Sequence, residues 1–142
     1  TNLGGTVTGA ALFKAATPLA ARTTLGTNEV HLPVRLSLVG TDADEIRLQS
    51  PVAGAISAVY SDQSKGPIAT GAATTTLTVG GAAPVANTLT HSIAEAAGTK
   101  KTMSPTGPNA VVAVGTEIRL AITGTNDAAG SAAGYTIVIT RT

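Results

Sequence analysis

The sequence predicts an all-β protein: an antiparallel β-sandwich or jelly roll of about eight short strands, preceded by an N-terminal arm with one short helix. Three observations lead to this prediction. Beyond residue 28, apolar and polar residues alternate in several segments that glycine-rich turns separate. No segment with helical periodicity lies between them, which argues against a parallel α/β sheet. Of the 142 residues, 43% are hydrophobic but only 2% are aromatic, so Val, Ile, Leu and Ala must fill the core.

The first three predicted strands lie between residues 29 and 61. The segment EVHLPVRLSLV at 29–39 alternates apolar and polar residues, as a strand with one buried face does. Its apolar face would carry Val30, Leu32, Val34, Leu36 and Leu38. Pro33 has no N–H to donate, so we expect this strand at a sheet edge or with a bulge. The segments DEIRLQ at 44–49 and GAISAVYS at 54–61 are predicted to be the second and third strands.

The later strands are predicted from β-branched content and alternation. In chain order they are ATTTLTVGG at 73–81, PVANTLTHSI at 84–93, a short strand near Lys101–Met103, GTEIRLAIT at 115–123 after AVVAV, and YTIVITR at 135–141. In GTEIRLAIT, Ile118, Leu120 and Ile122 should point inward, whereas Glu117 and Arg119 should point outward. Short strands separated by glycine-rich turns are typical of sandwiches and jelly rolls.

One helix is predicted, in the segment FKAATPLAARTTLGT at 13–27. Thr17 can cap its start, Pro18 suits the first turn, and Gly26 can end it. Only about two turns lie between these signals, which is too short for a helix that is stable alone. Because the composition changes near Glu29, residues 1–28 are predicted to be an anchoring arm and residues 29–142 the β-sandwich domain.

Composition and charge argue against several classes of partner. Charged residues make up 12% of the chain, about half the usual share of roughly 25%. The net charge of +1 gives no reason to expect a nucleic acid or an anionic membrane. No apolar run is long enough for a membrane span, and the absence of cysteine excludes disulfides and thiolate metal sites.

Candidate catalytic and metal-binding residues are few. Asp42, Asp44 and Glu45 in TDADE offer oxygen ligands for a calcium ion, although a solvated turn is the favoured interpretation. His31 and His91 are the only imidazoles, and neither is judged to have a carboxylate at ligand spacing. The residue types of a Ser-His-Asp hydrolase are present, but no Gly-x-Ser-x-Gly segment occurs. We therefore expect neither an enzyme nor a cofactor.

The segment AATPLAARTTLGT resembles a motif recurrent in appendage proteins of tailed bacteriophages, Thr-Pro-x-x-Ala-Arg-x-x-Leu-Gly. The matching residues are Thr17, Pro18, Ala21, Arg22, Leu25 and Gly26. The familiar motif continues with a second leucine and glycine, where this chain has Thr27 and Asn28. The body, from SPVAGAISAVYS through AVVAVGTEIRLAITG to AAGYTIVITR, is similar to a phage structural β-sandwich domain that decorates capsids as a cement or head-fibre protein.

This resemblance implies a structural virion protein that decorates the outside of an icosahedral capsid and stabilises it by bridging coat subunits. Its partner would be the major capsid protein. The protein would lie on the capsid surface after assembly in the host cytoplasm, and the preferred oligomer is a homotrimer. The arm residues that would contact the shell are Phe13, Thr17, Pro18, Leu19, Arg22 and Leu25. The alternative is a tail-fibre or baseplate module. A carbohydrate-binding adhesin is a further alternative, but it would need an exposed aromatic platform, and Tyr60 and Tyr135 both fall in predicted strands.

Overall fold

The computed structural model describes residues 28–37, 45–63, 71–124 and 132–142. The predicted arm helix and the six arm residues named above lie outside these ranges. The described chain forms nine β-strands and one single-turn 3-10 helix, Pro108–Ala110. The strands are β1 Glu29–Ser37, β2 Glu45–Gln49, β3 Gly54–Gln63, β4 Ala73–Val79, β5 Thr88–His91, β6 Lys100–Met103, β7 Val111–Val112, β8 Glu117–Gly124 and β9 Ala132–Arg141. None of the described helices is long and apolar enough to cross a membrane.

The strands form two antiparallel sheets, which confirms the all-β prediction. One sheet has five strands in the order β1-β9-β3-β6, with β7 also pairing with β3. The other has four strands in the order β2-β8-β4-β5. β1 lies at the edge of its sheet, as Pro33 predicts, because an edge strand tolerates a residue that cannot donate.

The inner faces of both sheets contribute to one hydrophobic core, as in a β-sandwich. Its buried members are mostly aliphatic: Ile56, Val59, Ala73, Leu77, Val79, Leu89, Met103, Val112, Ile118, Leu120, Ile122, Ala133, Tyr135, Ile137 and Ile139. Val30, Leu32 and Val34 of β1 pack against it while remaining partly exposed. The predicted inward face of β8 is therefore confirmed, as is the predicted inward face of the described part of β1.

The fifth strand is shorter than the sequence pattern suggests. PVANTLTHSI is predicted to be a strand from residue 84 to 93, but β5 spans only Thr88–His91. Val85 instead exchanges two backbone hydrogen bonds of 3.0 Å with Thr106, in an isolated bridge outside the named strands. Ala86 then adopts a positive φ of 54°, which interrupts the extended backbone. Regular pairing with β4 therefore begins only at Thr88.

The molecule has two distinct ends. We call one the arm end, defined by Asn28, Pro51, Val114 and Arg141; there the Arg141 N–H donates to the Asn28 carbonyl at 2.8 Å. The chain before residue 28 joins the sandwich at this end. The opposite, loop end is defined by the strand termini Gln63, Ala73, Gly124 and Ala132. The strand termini that flank the undescribed ranges 38–44, 64–70 and 125–131 all lie there.

Replacing Leu120 by alanine tests the assignment of faces on β8. Leu120 is fully buried between Ile46 and Leu77 on the neighbouring strands. We expect Leu120→Ala to lower the free energy of unfolding by about 2–5 kcal/mol, as core truncations do. Arg119→Ala on the opposite face should cost under about 1 kcal/mol, because an exposed ion pair contributes little. Equal losses in urea denaturation would show that the two faces are wrongly assigned.

Candidate functional site

A cluster of polar side chains joins the two sheets near the loop end. Ser61 lies on β3 of the five-stranded sheet, and His91 ends β5 of the four-stranded sheet. The Ser61 Oγ lies 2.9 Å from His91 Nε2, and the Glu95 Oε2 lies 2.7 Å from His91 Nδ1. Ser61 and His91 are only 3% and 0% exposed. Both imidazole nitrogens thus have partners, as a buried histidine requires.

Glu95 is the charged centre of this cluster. It accepts a 3.0 Å hydrogen bond from the Ser92 backbone N–H and forms an ion pair with Lys101 on β6. Lys101 also donates to the Thr90 carbonyl at 2.5 Å. Partial burial raises the pKa of the Glu95 carboxyl, but hydrogen bonds from Lys101, Ser92 and His91 outweigh burial and lower the pKa to about 2. The carboxylate is therefore ionised over the whole physiological range.

The order Ser61, His91, Glu95 is that of a nucleophile, a base and an orienting carboxylate. A hydrolase needs its nucleophile open to a substrate, whereas Ser61 and His91 are both enclosed between the sheets. The geometry therefore favours a structural role, in which the cluster connects β3, β5 and β6. A second bond across the interior supports this interpretation: Thr75 Oγ1 on β4 lies 2.6 Å from the Tyr135 hydroxyl on β9. Burial raises the pKa of Tyr135, so this hydroxyl keeps its proton.

The expectation that neither histidine has a carboxylate at a suitable spacing is wrong. Glu95 follows His91 by four residues and contacts it, and Glu29 Oε2 lies 3.3 Å from His31 Nε2 on the exposed face of β1. The spacing His91-x-x-x-Glu95 was a usable signal. Each pair holds one imidazole and one carboxylate, however, and the described ranges contain no group of three potential metal ligands.

The calcium hypothesis falls mostly outside the described residues, because Asp42 and Asp44 lie in the range 38–44. Glu45 is described, and its carboxylate oxygens accept hydrogen bonds from Arg47 at 2.8 Å and from Arg119 at 2.6 Å. These bonds from Arg47 and Arg119 lower the pKa of Glu45. Glu45 is thus committed to two guanidinium groups on the outer face of the four-stranded sheet.

The outer face of the five-stranded sheet carries a groove of about 580 Å³ around Tyr60. Tyr60 is 49% exposed, whereas Tyr135 belongs to the core. Both tyrosines lie in strands, as predicted, but only Tyr135 is buried, and Tyr60 lies on an open surface. The cross-strand neighbours of Tyr60 are Thr136 on β9 and Thr102 on β6. The groove is therefore a candidate site on the open surface of the described part of the chain.

Comparison with known proteins identifies no family. No protein-family model matches the chain, and no curated protein matches it. Among solved structures, FlhE shares 14% identity at a TM-score of 0.45, covering 81% of this chain and 99% of that chain. A carbohydrate-binding module, CBM36 in complex with calcium and xylotriose, shares 18% sequence identity at a TM-score of 0.40, covering 78% of this chain and 96% of that chain. Dimeric latent PorU from Porphyromonas gingivalis shares 12% sequence identity at a TM-score of 0.42, covering 80% of this chain and 13% of that chain. TM-scores this low carry no argument about function.

The Glu95 carboxylate should make stability depend on pH in acid. Because its folded pKa of about 2 lies below the ordinary 4.5, its stabilisation is complete above pH 4.5 and is lost as pH falls toward 2. Glu95→Gln should lower the free energy of unfolding by about 1–3 kcal/mol at neutral pH, and this deficit should shrink through the same window. Glu117→Gln on the outer face serves as the control, at under about 1 kcal/mol. A Glu95→Gln deficit that stays constant down to pH 2 would contradict the assignment.

Proposed function

We propose that this chain is a structural protein of a tailed-phage virion that decorates the outside of an icosahedral capsid and stabilises it by bridging subunits of the major capsid protein. One observation carries the proposal: the segment with the phage-appendage motif joins the sandwich at an end that exposes apolar side chains. Val111 and Val114, close to this arm end, are 59% and 71% exposed. Exposed apolar residues near a tethered arm suit a surface that a partner covers.

The arm end also offers a shallow cleft of about 320 Å³. Pro51, Val52 and Val114 supply apolar walls, and Arg141 supplies a cation. The buried Arg141 Nε has no hydrogen-bond partner within the described chain. The Arg141 guanidinium at this cleft offers a cation to an acidic group of a capsid partner.

The proposed mechanism is selective binding to the assembled shell. A subunit that bridges neighbouring coat subunits binds the assembled state and not the dispersed one, so it shifts the equilibrium toward the shell. As a homotrimer on the capsid surface, the protein would engage several arms at once, and modest individual affinities would combine through effective concentration. No nucleic acid, membrane or cofactor takes part in this mechanism, and assembly would occur in the host cytoplasm.

We also propose that the sandwich is a jelly roll. The strand orders β1-β9-β3-β6 and β2-β8-β4-β5 support this, because the first and last described strands pair in one sheet and most connections between the described strands cross to the other sheet. Jelly rolls occur in viral capsid and lectin domains, which is compatible with the proposed role.

Virions that lack this protein should assemble but lose their genome at a lower temperature or under milder osmotic shock. Adding the purified protein back should restore resistance in a saturable way, because stabilisation grows with the logarithm of free concentration above the dissociation constant. Binding should depend weakly on salt, since only 12% of the residues are charged.

A variant lacking residues 1–28 should stay folded by circular dichroism but fail to co-sediment with the particles.

Two results would contradict the proposed function or the proposed role of the arm. Depleted particles that keep full head stability but no longer adsorb to cells would favour a tail-fibre or baseplate module. Undiminished co-sedimentation of the variant without residues 1–28 would remove the arm from the mechanism.

A further inference from the structure

We propose that the groove around Tyr60 binds a saccharide. The residues that carry the argument all lie on the outer face of the five-stranded sheet or on its floor: Tyr60, Asp62, Lys100, Thr102, Gly134 and Thr136. This inference does not depend on the capsid role, since it concerns a different surface. Asp62 and Lys100 lie toward the loop end, so a partner bound at the arm end leaves the groove open.

A β-bulge aims the Tyr60 ring outward. Ile56 points into the core, and strict alternation from Ile56 would turn Tyr60 inward as well. The pairing of β3 with β9 shifts register between Ile56 and Ala58, so Val59 and Ser61 become the buried residues and Tyr60 faces solvent. Bulges often re-aim a side chain beside a functional site. The bulge thus presents an aromatic face on an otherwise polar surface.

The ring has polar neighbours that form no ion pair within the described part of the chain. Asp62 on β3 stands directly opposite Lys100 on β6, yet the two form no ion pair in the described structure. The Tyr60 hydroxyl likewise has no hydrogen-bond partner among the described residues. By contrast, Glu45, Glu95 and Arg119 are all paired. Among the described residues, the Asp62 carboxylate and the Lys100 ammonium thus have no ion-pair partner, and both lie beside the exposed ring.

The floor of the groove is open because Gly134 has no side chain. Gly134 pairs with Asp62, and a Cβ built on it would meet no atom within 4 Å. One row of cross-strand neighbours spans four strands: Pro33, Thr136, Tyr60 and Thr102. The row is about 14 Å long at the usual strand spacing. The volume of about 580 Å³ lies within the usual range for ligand sites. The groove therefore suits an elongated ligand, longer than a single sugar ring.

The chemistry of the groove favours a neutral polyhydroxylated ligand. A pyranose presents C–H groups to an aromatic face and hydroxyls that both donate and accept, which matches Tyr60 flanked by Asp62 and Lys100. Bases of single-stranded nucleic acid also stack on aromatic rings, but their phosphates require a positively charged track. Two lysines line the groove: Lys101 is paired with Glu95, and Asp62 stands opposite Lys100. The groove therefore has little excess positive charge, and the whole chain carries only +1. A saccharide fits this balance better than a polyanion does.

The test uses the purified full chain on an array of neutral linear and branched oligosaccharides, followed by calorimetric titration of the best binder. We expect Tyr60→Ala to weaken binding at least about tenfold, and Asp62→Asn to weaken it with the ring intact. Tyr60→Phe should keep most of the affinity, because it keeps the aromatic face. Arg35→Ala is the matched control: Arg35 lies beside Gly134 on β1 but outside the groove, so this variant should bind normally.

Circular dichroism and thermal unfolding of every variant verify the fold, which should persist because Tyr60 lies outside the core. Absence of oligosaccharide binding, or binding that Tyr60→Ala leaves unchanged, would overturn the proposal. A single-stranded oligonucleotide that binds through Tyr60, with strong salt dependence and weakening by Arg35→Ala, would replace the saccharide by a nucleic acid. A negative result in these binding experiments leaves the capsid proposal untouched, since that proposal is tested on particles.

Discussion

The hydrogen bonds of His91 with Ser61 and with Glu95 join an edge strand of one sheet to an inner strand of the other, and the described part of the sandwich near the loop end depends on them. A buried imidazole is unfavourable unless both nitrogens have partners, so β3, β5 and the residue at position 95 must keep one arrangement. Lys101 extends the same network to β6 by pairing with Glu95. Because β3 and β6 also carry the groove on their outer faces, the interior cluster fixes the strands on which the exposed site is built.

The faces of the strands could be predicted from the sequence wherever alternation was unbroken. The complete burial of Ile118 and Leu120 on β8 was predictable from the alternation of apolar and polar residues alone. Pro33 indicated a strand at a sheet edge or with a bulge, and β1 is an edge strand. Tyr60 could not be placed in this way, because the bulge after Ile56 reverses the alternation and leaves no signature in GAISAVYS. The cluster was missed for a different reason: pairing across the sandwich brings Ser61 to His91, and single-segment patterns do not report such contacts.

The proposed functions divide the molecule into surfaces with different chemistry. The arm end combines exposed valines with the guanidinium of Arg141, which suits burial against a protein partner. The outer face of the five-stranded sheet combines a half-exposed ring with polar groups that form no ion pair among the described residues, which suits a hydrated, reversible ligand. The outer face of the four-stranded sheet has its charges satisfied internally, through Glu45, Arg47 and Arg119. A shell-bound protein that presents a sugar-binding face outward would use the first two surfaces together.

The copy number of this chain in purified virions tests the central claim most directly. Quantitative mass spectrometry against the major capsid protein gives the ratio, and a labelled chain imaged by electron microscopy gives the location. Capsid decoration predicts hundreds of copies per particle with label distributed over the head. A few to a few dozen copies, with label confined to the tail, would contradict the account.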